Sequence, residues 1–477
     1  MRRFDEAAFV GQWWLPGRPG KQHHGTLRFG ETHPELELYT VDAAHPLPGH
    51  DDDRFDAPVL HGQSMGVRLT LLDLTETASS TSRNMRTQES RRTLFVGTAL
   101  LGHAHLQEGA GRFDRASFRL GNLTEWVNRT PYRWTSTGEA ETVELLSLPL
   151  LDATIDGCEI SVGRVSESRH GRLTESGFSS HEDVELRLRA PHSLQDIEYR
   201  YIRPLEQLLS LATGQDCRAF AIRVGNNDGT GKAMSGWPYD AYTVRRRTTD
   251  MTPPEKPMIR QHMRFGMNCP SYPPNVDFRD LVPRWFDVQA QSGAACDLVF
   301  SLRRDSAGYL QQQMFTIASA LEGLHRSLHP GLEKKSPEDR TRSAEILEAI
   351  RTTRPEHHDW LKAAISYAHR KSYSYRMRDL LRQTGHAMDD IIGDEDKWIR
   401  RLRDIRDGIG HVLPSHDNTN VEPMVAMLFS ARFLAEFVLL RQLGFTAAEC
   451  RRAMGHNWGI DNVRSHMRKA FPDWFTA

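Results

Sequence analysis

The chain has 477 residues, which favours at least two domains and leaves room for sizeable cores. Its 61 basic and 62 acidic residues balance to a net charge of −1, excluding a globally basic nucleic-acid coat and an acidic disordered tail, so any nucleic-acid contact must come from a local patch. Five scattered cysteines (Cys158, Cys217, Cys269, Cys296, Cys450), odd in number and without a C-x-x-C pair, read as a reduced, cytoplasmic protein without a zinc ribbon.

The opening MRRFDEAAFVGQWWLPGRPG lacks the apolar core of a secretory signal, and no stretch approaches the roughly 18 consecutive apolar residues of a membrane span; no membrane partner is expected. Up to about Arg189, apolar residues alternate every second position. GTLRF, ELELYTV, GVRLTLLDL, TLFVGTALLGHAHL, ASFRL, TVELLSL and DVELRLRA read as strands, separated by Gly, Pro, Asn and Asp turn residues. Many short strands predict a sandwich or barrel-like domain. Trp13, Trp14 and Trp126 are assigned to its core. His103 and His105 would share one strand face, as a metal pair needs, but without a third ligand nearby in sequence they read as strand surface. SLQDIEYRYIRPLEQLLSLATG reads as a helix stopped by Gly214, followed by strands at CRAFAIRV and YDAYTVRRR. VGNNDGTGKAMSG falls short of a phosphate loop, with one residue too many between Gly225 and Gly231 and Ala233 where Ser or Thr is required; it reads as a hairpin or loop.

A Pro-rich passage, MTPPEKPMIR through CPSYPPNVDF, is the candidate linker, placing a β-rich domain at 1–250, the linker at 251–280 and a helical bundle at 281–477. The expected fold class is therefore α+β. In the bundle, SAGYLQQQMFTIASALEGLHRSLH is one helix pattern, and Ser336 with Pro337 starts the next. Patterns at DWLKAAISYAHRK, YRMRDLLRQTG, DKWIRRLRDIRDGIGH and VEPMVAMLFSARFLAEFVLLRQLG follow, and Thr446 with Glu449 fits a capping box. The basic, aromatic-interleaved end, RRAMGHNWGIDNVRSHMRKAF, reads as a solvated helix pair, with an RNA-binding tail as the sharper alternative.

RDIRDGIGHVLP departs from its surroundings. Glycine costs a helix interior about 1 kcal/mol relative to alanine, and this helix carries Gly408 and Gly410 between Arg406 and His411. Arginine grips phosphate through its planar fork, and histidine exchanges protons near neutral pH. RNA supplies its own nucleophile, the 2′-hydroxyl, so the pair suits metal-free phosphodiester cleavage. At about 100° per residue the two side chains point roughly 140° apart on an ideal helix. Either the glycines loosen the helix, or two chains share the site across a symmetry axis. The plainer alternative is a solvated helix end with a local ion pair.

RDGIGH is similar to the Arg–polar–x–x–x–His signature of HEPN-domain ribonucleases, with Asp407 in the polar position. The chain resembles the ApeA family of anti-phage abortive-infection proteins. FTIASALEGLHRSL, with Glu322, resembles the first helix of that family's HEPN domain, and GQWWLPG, GTLRF, LELYTV, TLLDL and FRLGNLTEW resemble its β-rich N-terminal domain. The resemblance implies a dimeric, metal-independent endoribonuclease that halts growth during phage infection, and no cofactor is expected. It implies Arg406 and His411 as the catalytic pair, Asp407 as an orienting group and Glu322 as a further site residue. Implied partners are RNA, tRNA among the candidates, a second copy bound through the helical domain, and a phage-derived trigger. Asparagine is commoner where this chain has Asp407, and a second carboxylate there either slows cleavage or holds Arg406. A second functional class stays open: a non-catalytic bundle that dimerises or binds a nucleotide while the β-rich domain recognises a partner.

Overall fold

The computed structural model describes residues 7–40, 58–83, 88–107, 109–138, 141–169, 177–226, 241–252, 263–267, 276–304, 308–410, 421–455 and 459–475. The chain divides into two compact units, Met1–Glu206 with Cys217–Met258, and Gln207–Asp216 with Ile259–Ala477. The first is β-rich and the second helical, an α+β architecture.

The β-rich unit contains β1 (Ala8–Trp14), β2 (His23–Phe29), β3 (Pro34–Thr40), β4 (Val59–Ser64), β5 (Val67–Arg83), β6 (Gln88–Gly102) and β7 (Arg112–Leu120). After the short helix α1 (Leu123–Val127) come β8 (Tyr132–Ser136), β9 (Glu141–Leu145), β10 (Leu151–Ile155), β11 (Cys158–Arg169) and β12 (Gly177–Ser193), then β13 (Ala219–Gly225) and β14 (Tyr242–Arg245). Strands β6, β3, β2, β1, β4 and β5 pair antiparallel in that order, and β5 pairs back onto β6, closing a six-stranded barrel. Closure removes the exposed strand edges that an open sheet would present. Period-two alternation fills the barrel: Leu36 and Leu38 are buried while Glu35 and Glu37, which alternate with them, point out. Trp13 lies across its register partner Gly62, where an added Cβ would sit 2.3 Å from the indole ring, so only glycine fits beneath it. Beyond β3, the edge of β6 passes to β14, continuing through β13, β7, β12 and β11 to β10.

Trp13, Trp14 and Trp126 are buried, as their assignment to the core requires. The strand-surface reading of His103 and His105 needs correction. β6 ends at Gly102, and the loop after it folds His105 inward, where its ring stacks on His61 at 4.4 Å and meets Trp14 edge-on. Each ring donates from Nε2 to a backbone carbonyl, His61 to Leu106 and His105 to Gly62, and burial lowers both pKa values. Residues 227–236 of the glycine-rich stretch, 253–262 and 268–275 of the Pro-rich passage, and Cys269 lie outside the described residues. The four described cysteines are buried free thiols.

The predicted helix after β12 forms as α2 (Leu194–Ile197), a π-turn over Glu198–Ile202 and α3 (Arg203–Thr213). Pro204 has no N–H to give the preceding turn, which accounts for the widened turn before it. Gly214, at φ +76°, ends α3. The division between units falls inside this helix.

The helical unit continues with α4 (Phe278–Arg304), α5 (Leu310–Leu328), α6 (Pro337–Thr353), α7 (His358–Ile365), α8 (Tyr373–Arg382), α9 (Asp389–Ile392), α10 (Glu395–Gly410), α11 (Glu422–Gln442), α12 (Ala447–Gly455) and α13 (Gly459–Ala470). The predicted caps form: Ser336 and Asp339 box the start of α6, and Thr446 and Glu449 that of α12. Helix α11 is buried on all sides, which explains why a stretch long and apolar enough to cross a membrane is a core helix here. At its centre Glu436 is buried and paired with Arg264, at 2.6 Å, Arg432, at 3.2 Å, and Arg303. Burial pushes its carboxyl up in pKa, but the three arginines outweigh burial and hold it well below the ordinary range.

Removing a partner from a buried ion cluster leaves uncompensated charge, so Glu436→Leu is expected to cost about 3–5 kcal/mol in urea unfolding at pH 7. Because the folded pKa is depressed, this stabilisation is present above the unfolded carboxyl's pKa of about 4.3 and is lost as pH falls through the folded value. The gap between wild type and variant should therefore narrow below that pH.

Candidate functional site

Helix α10 is placed by its apolar stripe. Trp398, Ile399 and Leu402 are buried, and the Trp398 indole donates to Ser430 on α11 at 3.0 Å. Asp394 accepts from the Lys397 N–H at 2.9 Å and so starts the helix. Helix α5 turns Met314, Ile317, Leu321, Leu324 and His325 inward. That places Glu322 at the margin of the buried face, opposite the last turns of α10.

Arg406 on α10 reaches Glu322 across this seam. Its Nη2 donates to Glu322 Oε2 at 2.7 Å, and its Nη1 to Asp407 Oδ1 at 3.0 Å. The guanidinium carbon stands 4.8 Å from the centroid of the Tyr373 ring, a cation–π contact from the first turn of α8. Tyr373 is buried, its hydroxyl meets the Ala318 carbonyl at 3.4 Å, and burial raises its pKa so that it stays neutral. Three elements thus fix one arginine whose side chain remains 30% exposed. Arginine carries five N–H donors, so two carboxylate bonds leave capacity for an anion.

Glu322 is itself shared. Arg326, one turn along α5, holds its other oxygen at 2.8 Å and approaches Glu333 at 3.9 Å. Glu333 pairs with the fully buried Arg376 at 2.6 Å. Burial works against the Glu333 carboxylate, but Arg376, then Arg326 and Arg370, outweigh it and lower its pKa. Arg376 also donates to His325 Nδ1 at 3.2 Å. Arginine cannot accept, so Nδ1 must, and the His325 proton resides on Nε2, pointing at Asp379 Oδ2, 3.2 Å away. Burial lowers the His325 pKa, in keeping with this neutral form.

His325, His329 and Asp379 bring their ligand atoms within 4.8 Å of one another, a possible metal triad. The tautomer argues against it. A protonated Nε2 has no lone pair for a metal, and moving the proton to Nδ1 would set it against a buried guanidinium. The trio ends the ion-pair chain, and its His329 and Asp379 line a cavity of about 420 Å³ together with Arg382, Gln383 and Gln442.

Of the residues singled out from sequence, Arg406, Asp407 and Glu322 come together, and His411 lies outside the described residues. Helix α10 runs helical through Gly408 and Gly410. Among the described residues, a Cβ at Gly408 would meet nothing within 4 Å and one at Gly410 would touch Phe315 at 3.4 Å, so packing against them does not require either glycine. The basic C-terminal stretch is committed to structure: Arg451 and Arg464 both pair with Asp390, at 2.7 and 2.5 Å, and Ile460, Val463 and Met467 are buried. Sequence reasoning missed Arg326, Tyr373 and Arg376. The Glu322–Arg326 spacing of four was a readable helix pair. Nothing local marked Tyr373 or Arg376, which arrive from a separate helix.

Two family models match the chain: ApeA N-terminal domain 1 over residues 8–263, and Apea-like HEPN over residues 315–449, a span that includes Glu322, Tyr373, Arg406 and Asp407. No curated protein and no solved structure matches. These domains are those of an anti-phage defence effector of the HEPN type. The first match alone spans more than half of the sequence, and the chain belongs to the ApeA family.

Proposed function

We propose that the helical unit is a metal-independent endoribonuclease, with Arg406 as its phosphate ligand and His411 as its proton carrier. The observation that carries this reading is the setting of Arg406: stacked on Tyr373, paired with Glu322 and still partly exposed, five residues before the histidine. In the reaction the 2′-hydroxyl oxygen bonds to phosphorus and the bond to the 5′-oxygen breaks. An imidazole takes the 2′-proton and an imidazolium supplies one to the 5′-oxygen, leaving a 2′,3′-cyclic phosphate and a 5′-hydroxyl. The Arg406 fork neutralises charge that grows on the non-bridging oxygens. Asp407 and Glu322 orient the guanidinium rather than touch the reacting atoms. Activation by a phage-derived trigger, with RNA cleavage halting growth, completes the reading.

Arg406 and His411 diverge on a continuous helix, and a twofold contact between helical units would bring two motifs to one phosphate. The open space beside Gly408 supports close approach there. A competing reading, a bundle that only dimerises, draws on the double pairing of Arg406 with two carboxylates; it requires that no RNA be cut.

Loss of proton transfer in His411→Ala should slow cleavage by about 10²–10⁴-fold, and Arg406→Ala by at least about 10²-fold, with circular dichroism unchanged. Tyr373→Phe, which keeps the ring, should retain activity. Wild-type cleavage should persist in excess chelator, yield cyclic or 3′-phosphate ends, and fail where the cut site is 2′-methylated. Cleavage by folded His411→Ala, or a strict magnesium requirement, would sink the assignment.

Assembly is probed best at Gly408, because a side chain there meets nothing among the described residues of its own chain. Gly408→Glu should lower the sedimentation coefficient to that of a monomer and abolish cleavage together, with melting unchanged. A Gly408→Glu monomer that cuts RNA at full rate would exclude a shared site.

A further inference from the structure

Between Lys334 and Ser372, spanning α6 and α7, no residue is buried. Its two ends join the candidate site. Glu333, just before it, pairs with Arg326 and Arg376, and Tyr373, just after it, stacks on Arg406. The returning half is chemically one-sided. From Trp360 to Ser372 the sequence holds Lys362, Arg370 and Lys371, the rings of Trp360 and Tyr367, and no Asp or Glu, within a chain of net charge −1.

The side chains at the base of this segment pair each cation with a ring. Arg370 lies 4.5 Å from the Tyr367 ring centroid and Lys371 5.2 Å from that of Tyr375. Tyr367 is 63% exposed, Tyr375 38% and Trp360 72%. Neither Arg370 nor Lys371 closes an ion pair among the described residues. Tyr375 also meets the His325 ring edge-on at 6.3 Å.

We propose that Tyr367, Arg370, Lys371 and Tyr375, with Trp360 beyond them, form a docking strip for single-stranded RNA leading to Arg406. Exposed rings offer stacking faces for unpaired bases, and interleaved cations follow the backbone, a combination that favours single strands over duplexes. The absence of carboxylates from this stretch and its continuity with the Arg406 cluster select nucleic acid over an apolar protein partner. The inference rests on the ribonuclease reading and assigns how its substrate is held.

The test is fluorescence anisotropy of the full-length chain with a labelled, 2′-O-methylated single strand of about 12 nucleotides, within the usual site size for such surfaces. Tyr367→Ser or Trp360→Ser should weaken binding about tenfold, the loss of one stacked base. Arg370→Ser/Lys371→Ser should flatten the slope of log K against log salt by about 1.4, as for two released backbone contacts. With cleavable RNA, KM should rise in all three while kcat at saturation holds. Unchanged affinity and slope in variants that cut normally would overturn the strip and leave the ribonuclease standing. Weakened binding by variants of a wild type that cuts no RNA would keep the strip and remove the ribonuclease. Equal affinity for a duplex, or a changed sedimentation coefficient with RNA binding intact, would show that the strip is not a single-strand platform.

Discussion

A guanidinium that is to receive a phosphate must be held in place without being used up. Arg406 meets that constraint through three weak restraints rather than one strong one. Glu322 takes one donor from across the helix seam, Asp407 takes another from the same turn, and the Tyr373 ring supports the cation. A partly exposed ion pair contributes only about 1 kcal/mol or less, small enough to be exchanged for a phosphate. A fully buried pair, such as those around Glu436, would not exchange so readily. On the proposed reading, Arg406 at the margin of the bundle serves the substrate and the arginines at its centre serve the fold, which separates the two tasks.

Glu322 does not face Arg406 alone. Arg326 binds its second oxygen, the alternation of charge continues through Glu333 to Arg376, and from there hydrogen bonds run through the neutral His325 to Asp379, which His329 also approaches. The alternation keeps each buried or half-buried charge compensated, and it connects α5, α8 and α10 by polar contacts where their apolar stripes end. Arg376, fully buried, is the member that depends most on its neighbours, because an uncompensated cation there would carry a large desolvation penalty. The same network fixes the tautomer of His325, which argues against a metal on its Nε2.

Much of the fold was readable because it rests on local patterns. Leu36 and Leu38 alternating with Glu35 and Glu37 state a strand and its inner face, and Ser336-Pro337 and Thr446 with Glu449 state helix starts. Barrel closure was not readable. It depends on β5 pairing back to β6 and on β1, whose apolar run AFVGQWW interrupts the alternation with Gly11 and two adjacent tryptophans. His105 was misplaced for a similar reason, since only the chain's turn after Gly102 sends the ring inward to His61. In the helical unit Arg406, Asp407 and His411 were singled out by their spacing together with the family resemblance, and Glu322 by the resemblance alone. Tyr373 and Arg376 were not, because their significance comes from the packing of α8 against α5 and α10, which no spacing in the sequence encodes.

Whether Arg406 is presented to phosphate or locked in a structural ion pair can be measured without knowing the trigger or the natural RNA. A nucleoside 2′,3′-cyclic monophosphate, the expected product end, can be titrated by ³¹P NMR against wild type and Arg406→Lys, which keeps the charge but loses the planar fork. A phosphate ligand at Arg406 predicts saturable binding that weakens about tenfold or more in the lysine variant at unchanged thermal stability. Equal binding by both proteins, or a variant that simply unfolds earlier while binding as before, would contradict it.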